Sequence, residues 1–424
     1  MELLRLSKPD RVLKGDITLD GSKSISNRAL IVLALAGADP ADWLTNLSTS
    51  KDTTTLYRLL TQNSDLYDAG DAGTTFRFLT AYLSMQAGTQ VLTGSARMRE
   101  RPVGALVEGL RAIGADIQYM EKEGFPPLRI GEMKRPARSA RATVRVHAGT
   151  SSQFLSALLM IGPYLPGGLE LIPEGHLVSK PYLDMTVLLM RRFGASVRWE
   201  GDVVIVEPGQ YLPQPFVVEA DWSAASYWYA MAALADESDL RLHGLSGDSW
   251  QGDSVVMKMM QSFGIQTTIS VKEVAGETIP AEVLHLKKSG DSPVSHFEWD
   301  FTDCPDIAQT LAVVCAGLGV PGSFSGLETL FIKETDRVSA LQTELAKVGV
   351  SFAAQPASAA QFLIQGKANW KSTPRFATYG DHRMAMSFAP LAFLAPVEIE
   401  NPAVVSKSYP AFWEHLKRVG FLAE

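Results

Sequence analysis

The stretch Leu110-Arg-Ala-Ile-Gly114 has four counterparts in this sequence, and their shared pattern decides the fold. They are Met190-Arg-Arg-Phe-Gly194, Met260-Gln-Ser-Phe-Gly264, Leu345-Ala-Lys-Val-Gly349 and Leu416-Lys-Arg-Val-Gly420. Each ends an amphipathic segment with a bulky apolar residue and a glycine, and alternating residues follow. A glycine in this place supplies the left-handed residue that ends a helix, and alternation is typical of a strand. The pattern therefore predicts helix, glycine and strand, five times.

The spacing of these glycines indicates a duplicated unit. Successive glycines are 80, 70, 85 and 71 residues apart, and a regular period of this kind marks an internal repeat. A sixth copy lies near residues 56–70, where Leu59 and Leu60 precede Thr61-Gln-Asn-Ser without the glycine. Six copies divide into three and three, which predicts an α/β protein of two similar domains. An ordinary α/β protein with coincidental spacing is the alternative. A Gly-, Pro-, Lys- and Ser-rich stretch at 276–291 is predicted to be the main loop.

Composition excludes several classes of protein. The 424 residues suit two or three domains, with 46% hydrophobic and 20% charged residues. The two cysteines, Cys304 and Cys315, rule out a disulfide framework and a zinc site built on several thiolates. A net charge of −7 disfavours a nucleic-acid partner. We find no leader-like N-terminus and no apolar run long enough for a bilayer, so we expect a cytoplasmic protein without membrane contact.

Four segments of small and polar residues precede apolar helices. They are Gly21-Ser-Lys-Ser-Ile-Ser-Asn-Arg28, Asp71-Ala-Gly-Thr-Thr75, Thr150-Ser-Ser-Gln153 and Thr378-Tyr-Gly-Asp-His-Arg383. Helix N-termini carry free backbone N–H groups and partial positive charge, so they bind phosphates and carboxylates. Simple N-capping explains any one of them, but the cations in or beside most segments favour anion binding. Gly21-Ser-Lys-Ser24 lacks the spacing of a nucleotide-binding P-loop, and that interpretation is rejected.

Cations form a second pattern. Arg97, Arg99 and Arg101 occupy alternate positions before Pro102. Lys333 and Arg337 are four residues apart, which would place them on one face of a helix. A salt-bridged surface helix is the simpler explanation of that pair. Asp381-His-Arg383 and Ser406-Lys407 complete the set.

Nine motifs together resemble the 5-enolpyruvylshikimate-3-phosphate synthase family of enolpyruvyl transferases. They are Gly21–Arg28, Asp71-Ala-Gly-Thr74, Glu100-Arg-Pro102, Ser151-Ser-Gln153, Leu177-Val-Ser-Lys-Pro-Tyr182, Pro305-Asp306, Lys333-Glu-Thr-Asp-Arg337, Asp381-His-Arg-Met-Ala-Met386 and Ser406-Lys407. They follow the family's order from about residue 15 to about residue 415. The Ser-Lys-Pro-Tyr, Lys-Glu-Thr-Asp-Arg and Asp-His-Arg-Met-Ala-Met motifs are very specific in combination.

The resemblance implies a fold and a domain organisation. Two similar domains of three βαβαββ repeats each form an inside-out barrel, with the active site in a cleft between domains that close over substrate. Residues 1–20 and 220–424 would form one discontinuous domain and residues 21–219 the other. Asp71 comes only 19 residues after Asp52, which is short for the family. We therefore expect the repeat near residues 50–70 to lack its final hairpin.

The resemblance also implies the activity, 3-phosphoshikimate 1-carboxyvinyl transfer. The enolpyruvyl group of phosphoenolpyruvate would pass to the 5-hydroxyl of shikimate 3-phosphate through a tetrahedral intermediate, with release of phosphate. This reaction belongs to the shikimate pathway, which makes chorismate and the aromatic amino acids, and the family is the target of glyphosate. No cofactor and no metal are implied, and we expect a monomer whose partners are these two small molecules.

Site residues follow from the motifs that match. The family's proton-transfer residues correspond to Asp306, Glu334, Lys23 and His382. Shikimate 3-phosphate would be bound by Lys23, Ser24, Arg28, Ser151, Ser152, Gln153, Ser179, Tyr182, Asp306 and Lys333. Phosphoenolpyruvate would be bound by Lys23, Gly73, Arg101, Gln153, Arg337, Arg383 and Lys407. Arg77 is expected to brace its segment. The sequence departs from the family's usual residues at Asp71, Thr75, Phe78, Thr329 and Phe331.

Two other functions compete with this one. A sibling enolpyruvyl transferase uses UDP-N-acetylglucosamine and carries a reactive cysteine in its flap, whereas Gly94–Pro102 has none. A non-catalytic anion-binding or RNA-binding protein on a related fold is the second. The net charge argues against RNA, and the acid and base residues beside the cations argue against a pure binder.

Overall fold

The chain folds as two compact units. A computed structural model describes residues 2–62, 64–134, 140–147, 149, 151–272, 281–355 and 358–424. The first unit comprises Met1–Asp20 and Glu219–Glu424, and the second unit comprises Gly21–Val218. Glu219 therefore belongs to the first unit, not to the second as the sequence analysis placed it. The reason is that its carboxylate accepts hydrogen bonds from Trp222, Ser249 and Gln251 of that unit.

The strands are short and the helices are longer. The strands are β1 (Leu3–Ser7), β2 (Val12–Thr18), β3 (Leu44–Thr45), β4 (Leu66–Asp68), β5 (Thr89–Thr93), β6 (Asp116–Tyr119), β7 (Leu128–Gly131), β8 (Ala142–His147), β9 (Leu169–Glu174), β10 (Val197–Glu200), β11 (Val203–Val206), β12 (Phe216–Val217), β13 (Glu237–His243), β14 (Ile265–Lys272), β15 (Ala281–Lys288), β16 (Phe297–Asp300), β17 (Gly322–Ser325), β18 (Ser351–Gln355), β19 (Ser358–Gln365), β20 (Arg375–Phe376), β21 (Val397–Glu400) and β22 (Leu422–Ala423). The α-helices are α1 (Lys23–Leu35), α2 (Lys51–Thr61), α3 (Gly73–Ser84), α4 (Ala96–Arg99), α5 (Gly104–Ala112), α6 (Ser152–Ile161), α7 (Lys180–Arg192), α8 (Trp222–Leu234), α9 (Val256–Gln261), α10 (Ala308–Leu318), α11 (Arg337–Ala346), α12 (His382–Phe388) and α13 (Phe412–Arg418).

One sheet pattern recurs in the first unit. Its sheets have the orders β2-β13-β15-β14, β16-β17-β19-β18 and β20-β21-β1-β22. In each sheet the first two strands are parallel and the other two neighbouring pairs are antiparallel. A parallel pair needs a crossover connection, which a helix provides, whereas an antiparallel pair needs only a hairpin. The three sheets of this unit are therefore copies of one supersecondary pattern.

The second unit repeats this pattern twice and shortens it once. The sheets β4-β5-β7-β6 and β8-β9-β11-β10 have the same mixture of parallel and antiparallel pairs. The third sheet consists of the parallel pair β3 and β12 alone within the described residues. Only residues 62–65 separate α2 from β4, so the described part of the chain holds no hairpin there. Val217 on this short sheet is 61% exposed.

The five glycines end helices as the sequence predicted. They follow α5, α7, α9, α11 and α13, and their φ angles are +101°, +88°, +76°, +77° and +87°. Side chains rarely adopt such angles, so glycine is the residue that permits each reversal. The next strand is β6, β10, β14, β18 or β22, and each lies at the edge of its four-stranded sheet. The predicted order of helix, glycine and strand is therefore confirmed.

The predicted loop at 276–291 is partly wrong. β15 occupies Ala281–Lys288 and pairs with β13 and β14, while residues 273–280 lie outside the described part of the chain. Leu284 and Leu286 alternate along β15, lie opposite Leu242 and Leu240 of the neighbouring strand, and bury apolar surface. This burial outweighs the loop-like composition of the flanking residues.

Helices that are apolar on nearly every side form the centre of each unit. In the first unit every residue of α8 except Ser223 is buried, and most of α10 is buried as well. In the second unit α1, α3 and α6 have the same character. A helix with this composition belongs inside a protein. Among the described residues no helix combines the length and hydropathy that crossing a membrane would need.

Candidate active site

All four small polar segments begin helices, as the sequence predicted. They start α1, α3, α6 and α12. Ser22, Ser151 and Asp381 cap three of these helices through side-chain oxygens that accept backbone N–H groups. The helix α3 has no side-chain cap after Ala72. Capping therefore explains the polar residues at three of the four helix starts. It does not explain the cations in or beside these segments.

Arg337 connects three carboxylates in the first unit. Its Nε donates to Asp381 Oδ2 over 2.7 Å, and its Nη1 donates to Asp306 Oδ1 over 3.0 Å. Its Nη2 donates to Glu334 over 2.8 Å. The side chain is only 2% exposed, so the expected alternative of a surface salt bridge is wrong. Burial opposes the charge of the guanidinium, but these carboxylates outweigh it and raise the pKa of Arg337.

Asp306 is surrounded by three cations. Arg383 Nη2 and Arg337 Nη1 donate to its two oxygens over 2.8 and 3.0 Å, and Lys333 Nζ lies 3.7 Å from Oδ1. Burial disfavours the ionised carboxyl, but the charges of Arg383, Lys333 and Arg337 together outweigh it. They hold the pKa of Asp306 well below its usual range. Asp306 is therefore a carboxylate at neutral pH.

Lys333 and Arg337 meet at Asp306 but do not share a helix face, so that expectation is wrong. The helix α11 begins at Arg337, because Asp336 caps it by accepting the backbone N–H of Ser339. Lys333 lies just after a short 3₁₀ turn, Glu328–Ile332. Burial lowers the pKa of Lys333, although Asp306 opposes this change. Lys333, whose own backbone is extended, thus reaches the carboxylate from outside the helix.

The remaining predicted residues of the first unit lie around this cluster. Arg383 is in the first turn of α12, and its Nη1 lies 3.4 Å from the hydroxyl of Tyr227. Burial raises the pKa of Tyr227 to about 12 although Arg383 opposes this. His382 is buried, with Nδ1 3.7 Å from Asp381 Oδ1. Lys407 Nζ is 3.4 Å from Glu334 Oε1.

The second unit has its own lysine–carboxylate pair. Lys23 Nζ lies 3.2 Å from Asp52 Oδ2, and their side chains are 16% and 5% exposed. The backbone oxygen of Asp52 accepts a hydrogen bond of 2.9 Å from Thr75. The first turns of α1, α2 and α3 therefore lie together. The sequence analysis quoted Asp52 but assigned it no role.

Two arginines lie against Gly73 at the start of α3. A Cβ at Gly73 would be 2.4 Å from Arg101 Nη1 and 2.7 Å from Arg77 Nη1, so only glycine leaves room for both guanidiniums. Arg77 Nη1 also donates to Gln153 Oε1 over 3.0 Å, and Gln153 Nε2 donates to Thr74 over 3.0 Å. The helix starts of α3 and α6 thus carry one cationic cluster, and Arg77 braces it as expected.

Arg28 lies inside the second unit. Its guanidinium donates to Thr186 over 2.7 Å and Ser156 over 3.1 Å, and to the backbone oxygens of Ser24 and Tyr182. It lies 5.3 Å from the ring centroid of Phe78. Burial lowers its pKa to about 10. Four of the five N–H donors are thus used internally, and a ligand would reach Arg28 only through the remaining donor or by displacing a partner.

Serines and Tyr182 complete the predicted set in the second unit. Ser152 is buried at the start of α6, and Ser151 precedes it as the cap. Ser179 is buried and has a left-handed φ of +57° directly before α7. The ring of Tyr182, in the first turn of α7, has the Arg28 guanidinium 5.9 Å from its centroid. Ser24 contributes its backbone oxygen to Arg28.

Sequence reasoning missed several residues that hold these clusters. Asp381 was quoted in a motif but assigned no role. Asp52 of the second unit was likewise assigned no role, and Asp253 and Ser223 of the first unit were not identified. Asp52 and Ser223 lie in the first turns of α2 and α8. A search for every polar helix start would have found both.

The site favours binding of small anions. Lys23, Arg337 and Arg383 lie at helix starts, where backbone N–H groups add to their field. Among the described residues no group of three or more His, Cys, Asp or Glu side chains is arranged to hold a metal ion. Each unit thus combines repeated α/β patterns with a cluster of cationic side chains, an arrangement suited to small anions.

Comparisons with known proteins give the family. The model of the EPSP synthase (3-phosphoshikimate 1-carboxyvinyltransferase) family matches residues 55–416. A 3-phosphoshikimate 1-carboxyvinyltransferase of Bacteroides fragilis is 44% identical over 418 residues, covering 98% of this chain and 97% of that protein. One from Cellvibrio japonicus is 35% identical, covering 99% of this chain and all of that protein. The chain belongs to the EPSP synthase family, and the resemblance found in the sequence is confirmed.

A solved structure supports the fold. The EPSP synthase of Acinetobacter baumannii superposes with a TM-score of 0.79 at 21% identity, with complete coverage of both chains. This likeness confirms the α/β fold.

Proposed function

We propose that this protein transfers the enolpyruvyl group of phosphoenolpyruvate to the 5-hydroxyl of shikimate 3-phosphate and releases phosphate. Membership of the family supports the reaction. The single observation that carries the assignment of roles is Asp306, a carboxylate held between Arg383, Arg337 and Lys333 at distances of 2.8, 3.0 and 3.7 Å. The proposal includes a cytoplasmic monomer of the shikimate pathway that needs no cofactor.

The cations match the charges of the two substrates. The substrates carry two phosphates and two carboxylates. Arginine binds such groups through paired hydrogen bonds, and lysine binds them as a point charge. Arg337, Arg383 and Lys407 in the first unit, and Lys23 and Arg101 in the second, are proposed to hold phosphoenolpyruvate, with the backbone of Gly73 and the amide of Gln153.

Shikimate 3-phosphate is proposed to bind mainly to the second unit. Ser151 and Ser152 at the start of α6, with Ser179 before α7, would take its phosphate through hydroxyl and backbone N–H groups. Lys333 of the first unit would add a charge, and Lys23, Ser24, Gln153 and Tyr182 would line the ring. Arg28 is buried among internal acceptors, so its main contribution is to fix the backbone of Ser24 and Tyr182.

Asp306 is the proposed base for the 5-hydroxyl. A carboxylate whose pKa is well below its usual range is a weak base, since the cations stabilise its ionised form. When the substrate anions bind Arg337, Arg383 and Lys333, they neutralise part of that positive charge. The pKa of Asp306 then rises toward that of an ordinary carboxyl. Substrate binding would thus prepare the base, and the same cations stabilise the tetrahedral intermediate.

Proton transfer at the methylene carbon is proposed to involve Glu334 and Lys23, with His382 nearby. Glu334 accepts from Arg337 Nη2 over 2.8 Å and lies 3.4 Å from Lys407 Nζ. Lys23 is paired with Asp52. The proposed substrates need groups from both units. The proposal therefore includes an active site in a cleft between two domains that close over substrate. It also includes the inside-out barrel fold, with three repeats in each domain.

The decisive experiment measures phosphate release from phosphoenolpyruvate with either shikimate 3-phosphate or UDP-N-acetylglucosamine as acceptor. We expect release with shikimate 3-phosphate alone. Asp306→Asn should lower kcat by at least a hundredfold, since removal of a general base has an effect of about 10²–10⁴. Asp16→Asn, an exposed carboxylate beside His243, is the control and should have wild-type activity.

Other outcomes would contradict the proposal. Release with the sugar nucleotide alone would assign the sibling reaction. Binding of shikimate 3-phosphate by calorimetry, without turnover under any condition, would leave an anion-binding protein on an enzyme's fold. Light scattering after size exclusion tests the monomer.

A further inference from the structure

The buried carboxyl group of Asp253 lies outside the predicted site. A single serine side chain, Ser223, links it to Arg383 of that site. Asp253 belongs to a short 3₁₀ turn, Gly252–Val255, and is 2% exposed. Its Oδ2 accepts a hydrogen bond from the hydroxyl of Ser223. Its Oδ1 is buried and has no hydrogen-bond partner within the described ranges. A buried polar atom without a partner is unfavourable, so packing alone does not explain an acid here.

A chain of contacts joins Asp253 to the proposed base. The Oγ of Ser223 donates to Asp253 and lies 3.4 Å from Arg383 Nη2. The same Nη2 donates to Asp306 Oδ2 over 2.8 Å. Ser223 is in the first turn of α8 and Arg383 is in the first turn of α12. The helices α8 and α12 and the turn that carries Asp306 therefore meet at the guanidinium of Arg383, which is proposed to hold phosphoenolpyruvate.

Burial and two neighbouring carboxylates favour the neutral form of Asp253, and one arginine opposes it. Asp306, Arg383 and Asp221 act on it from the 3₁₀ turn Pro305–Ile307, from α12 and from the cap of α8. Cys304 is the neighbouring thiol. Burial first, and the charge of Asp306 second, raise the pKa of Asp253 to about 7, while Arg383 opposes this change. Below that pH the group carries a proton and adds no negative charge beside Arg383.

We propose that Asp253 is a positioning residue for the reaction, which through Ser223 holds the guanidinium of Arg383 against Asp306. This inference rests on the proposed enolpyruvyl transfer. It predicts two separable effects. The hydrogen-bonded link through Ser223 fixes the position of Arg383, and the protonation of Asp253 sets the charge that phosphoenolpyruvate meets.

The charge effect gives a pH dependence with a definite sign. As the pH rises through 7, Asp253 loses its proton and places a negative charge near Arg383. Phosphoenolpyruvate is an anion, so its binding weakens and its KM rises. Asp253→Asn has the shape of the protonated acid and cannot ionise. Its KM should therefore stay low at alkaline pH, about tenfold below that of the wild type at pH 8.5, since one nearby charge has an effect of this order.

The test measures kcat and the KM for phosphoenolpyruvate between pH 5.5 and 9 for wild type, Asp253→Asn, Ser223→Ala and Asp253→Ala. Comparing each variant with the wild type at the same pH removes the titration of the substrate itself. Ser223→Ala breaks the link but keeps the carboxyl, so its kcat/KM should fall about tenfold at every pH while the pH dependence of KM remains. Asp236→Asn, an exposed partner of Arg11, controls for net charge.

Three outcomes would overturn the inference. One is a KM profile for Asp253→Asn that parallels the wild type across the whole pH range. Another is unchanged kcat/KM for Ser223→Ala at wild-type thermal stability. The third is that Asp253→Asn and Asp253→Ala lower only the melting temperature. Should Asp253→Ala fail to fold, the Asn and Ser223→Ala variants still decide. A silent wild type would instead refute the proposed function, so the two failures are distinguishable.

Discussion

Arg337 and Asp381 form a buried ion pair between the first turns of two helices. The Nε of Arg337 donates to Asp381 Oδ2 over 2.7 Å, and the side chains are 2% and 0% exposed. The other oxygen of Asp381 accepts the backbone N–H of Arg383 over 2.9 Å. Asp381 therefore caps α12 and fixes Arg337 at the same time. One carboxylate thus sets the positions of Arg337 and Arg383, two of the three arginines proposed to hold phosphoenolpyruvate.

Asp381→Asn should damage stability and substrate binding together. The amide can still cap α12, but the charge that compensates Arg337 is lost. Breaking a buried ion pair by removing one partner costs about 3–5 kcal/mol, and urea unfolding measures this. The KM for phosphoenolpyruvate should rise at least tenfold. Glu414→Gln is the control, because its partner Arg418 is exposed and such pairs contribute about 0–1 kcal/mol. Equal stability of the two variants would contradict this account.

Gly73→Ala should weaken phosphoenolpyruvate binding with little loss of stability. The new Cβ would lie 2.4 Å from Arg101 Nη1, so the flexible guanidinium must move away from α3. We expect the KM for phosphoenolpyruvate to rise and that for shikimate 3-phosphate to change less than twofold. Gly209→Ala is the matched control, since nothing lies within 4 Å of its Cβ. The same KM for both variants would show that Arg101 does not contact this substrate.

Tyr379→Phe should lower stability but not activity. Glu344, fully buried in α11, accepts from the Tyr379 hydroxyl over 2.7 Å and from the backbone N–H of Ala377 over 3.0 Å. Burial and Glu344 raise the pKa of Tyr379 to about 12. A hydrogen bond to a charged acceptor contributes about 1.5–3 kcal/mol. Because Arg337 fixes Asp381 independently, kcat/KM should change less than twofold. A large activity loss would show that the 377–379 segment orients Arg383.

Asp253→Asn should change how stability depends on pH. The pKa of Asp253 is about 7 in the folded protein and about 3.9 in an unfolded chain. Between these values the folded state holds a proton that the unfolded state releases. The wild type therefore loses stability as the pH rises from 4 to 7, and the loss is complete above the folded pKa. The Asp253→Asn variant lacks this titrating group, so it does not lose this stability. The unfolding free energy of the variant minus that of the wild type should therefore rise between pH 4 and pH 7. Denaturant unfolding at pH 4.5 and 7.5 measures this difference in unfolding free energy. The same difference at both pH values would contradict the prediction.

Local patterns predicted much of the fold because they act over one or two turns of chain. The glycine after α5, α7, α9, α11 and α13 ends each helix through its own backbone freedom. All four polar segments begin helices, and in three of them a side chain satisfies an N-terminal donor. Where long-range pairing competes with local composition, prediction was weaker: part of the supposed loop at 276–291 is β15.

Several site features depended on contacts that sequence spacing does not reveal. Spacing suggested that Lys333 and Arg337 share a helix face, yet an N-cap at Asp336 starts the helix later and Asp306 brings them together. Asp253 and Ser223 lie in different elements and carry no motif of their own.

The sequence by itself determined the repeat, the helix starts, the cations and the family, because these depend on residue type and on neighbours along the chain. Only the tertiary structure decided which charges compensate one another. It buried Arg28 among internal acceptors, gave Arg337 three carboxylates and left Asp253 with a raised pKa. The reason is that burial and Coulomb interactions depend on distances through space between segments far apart in sequence.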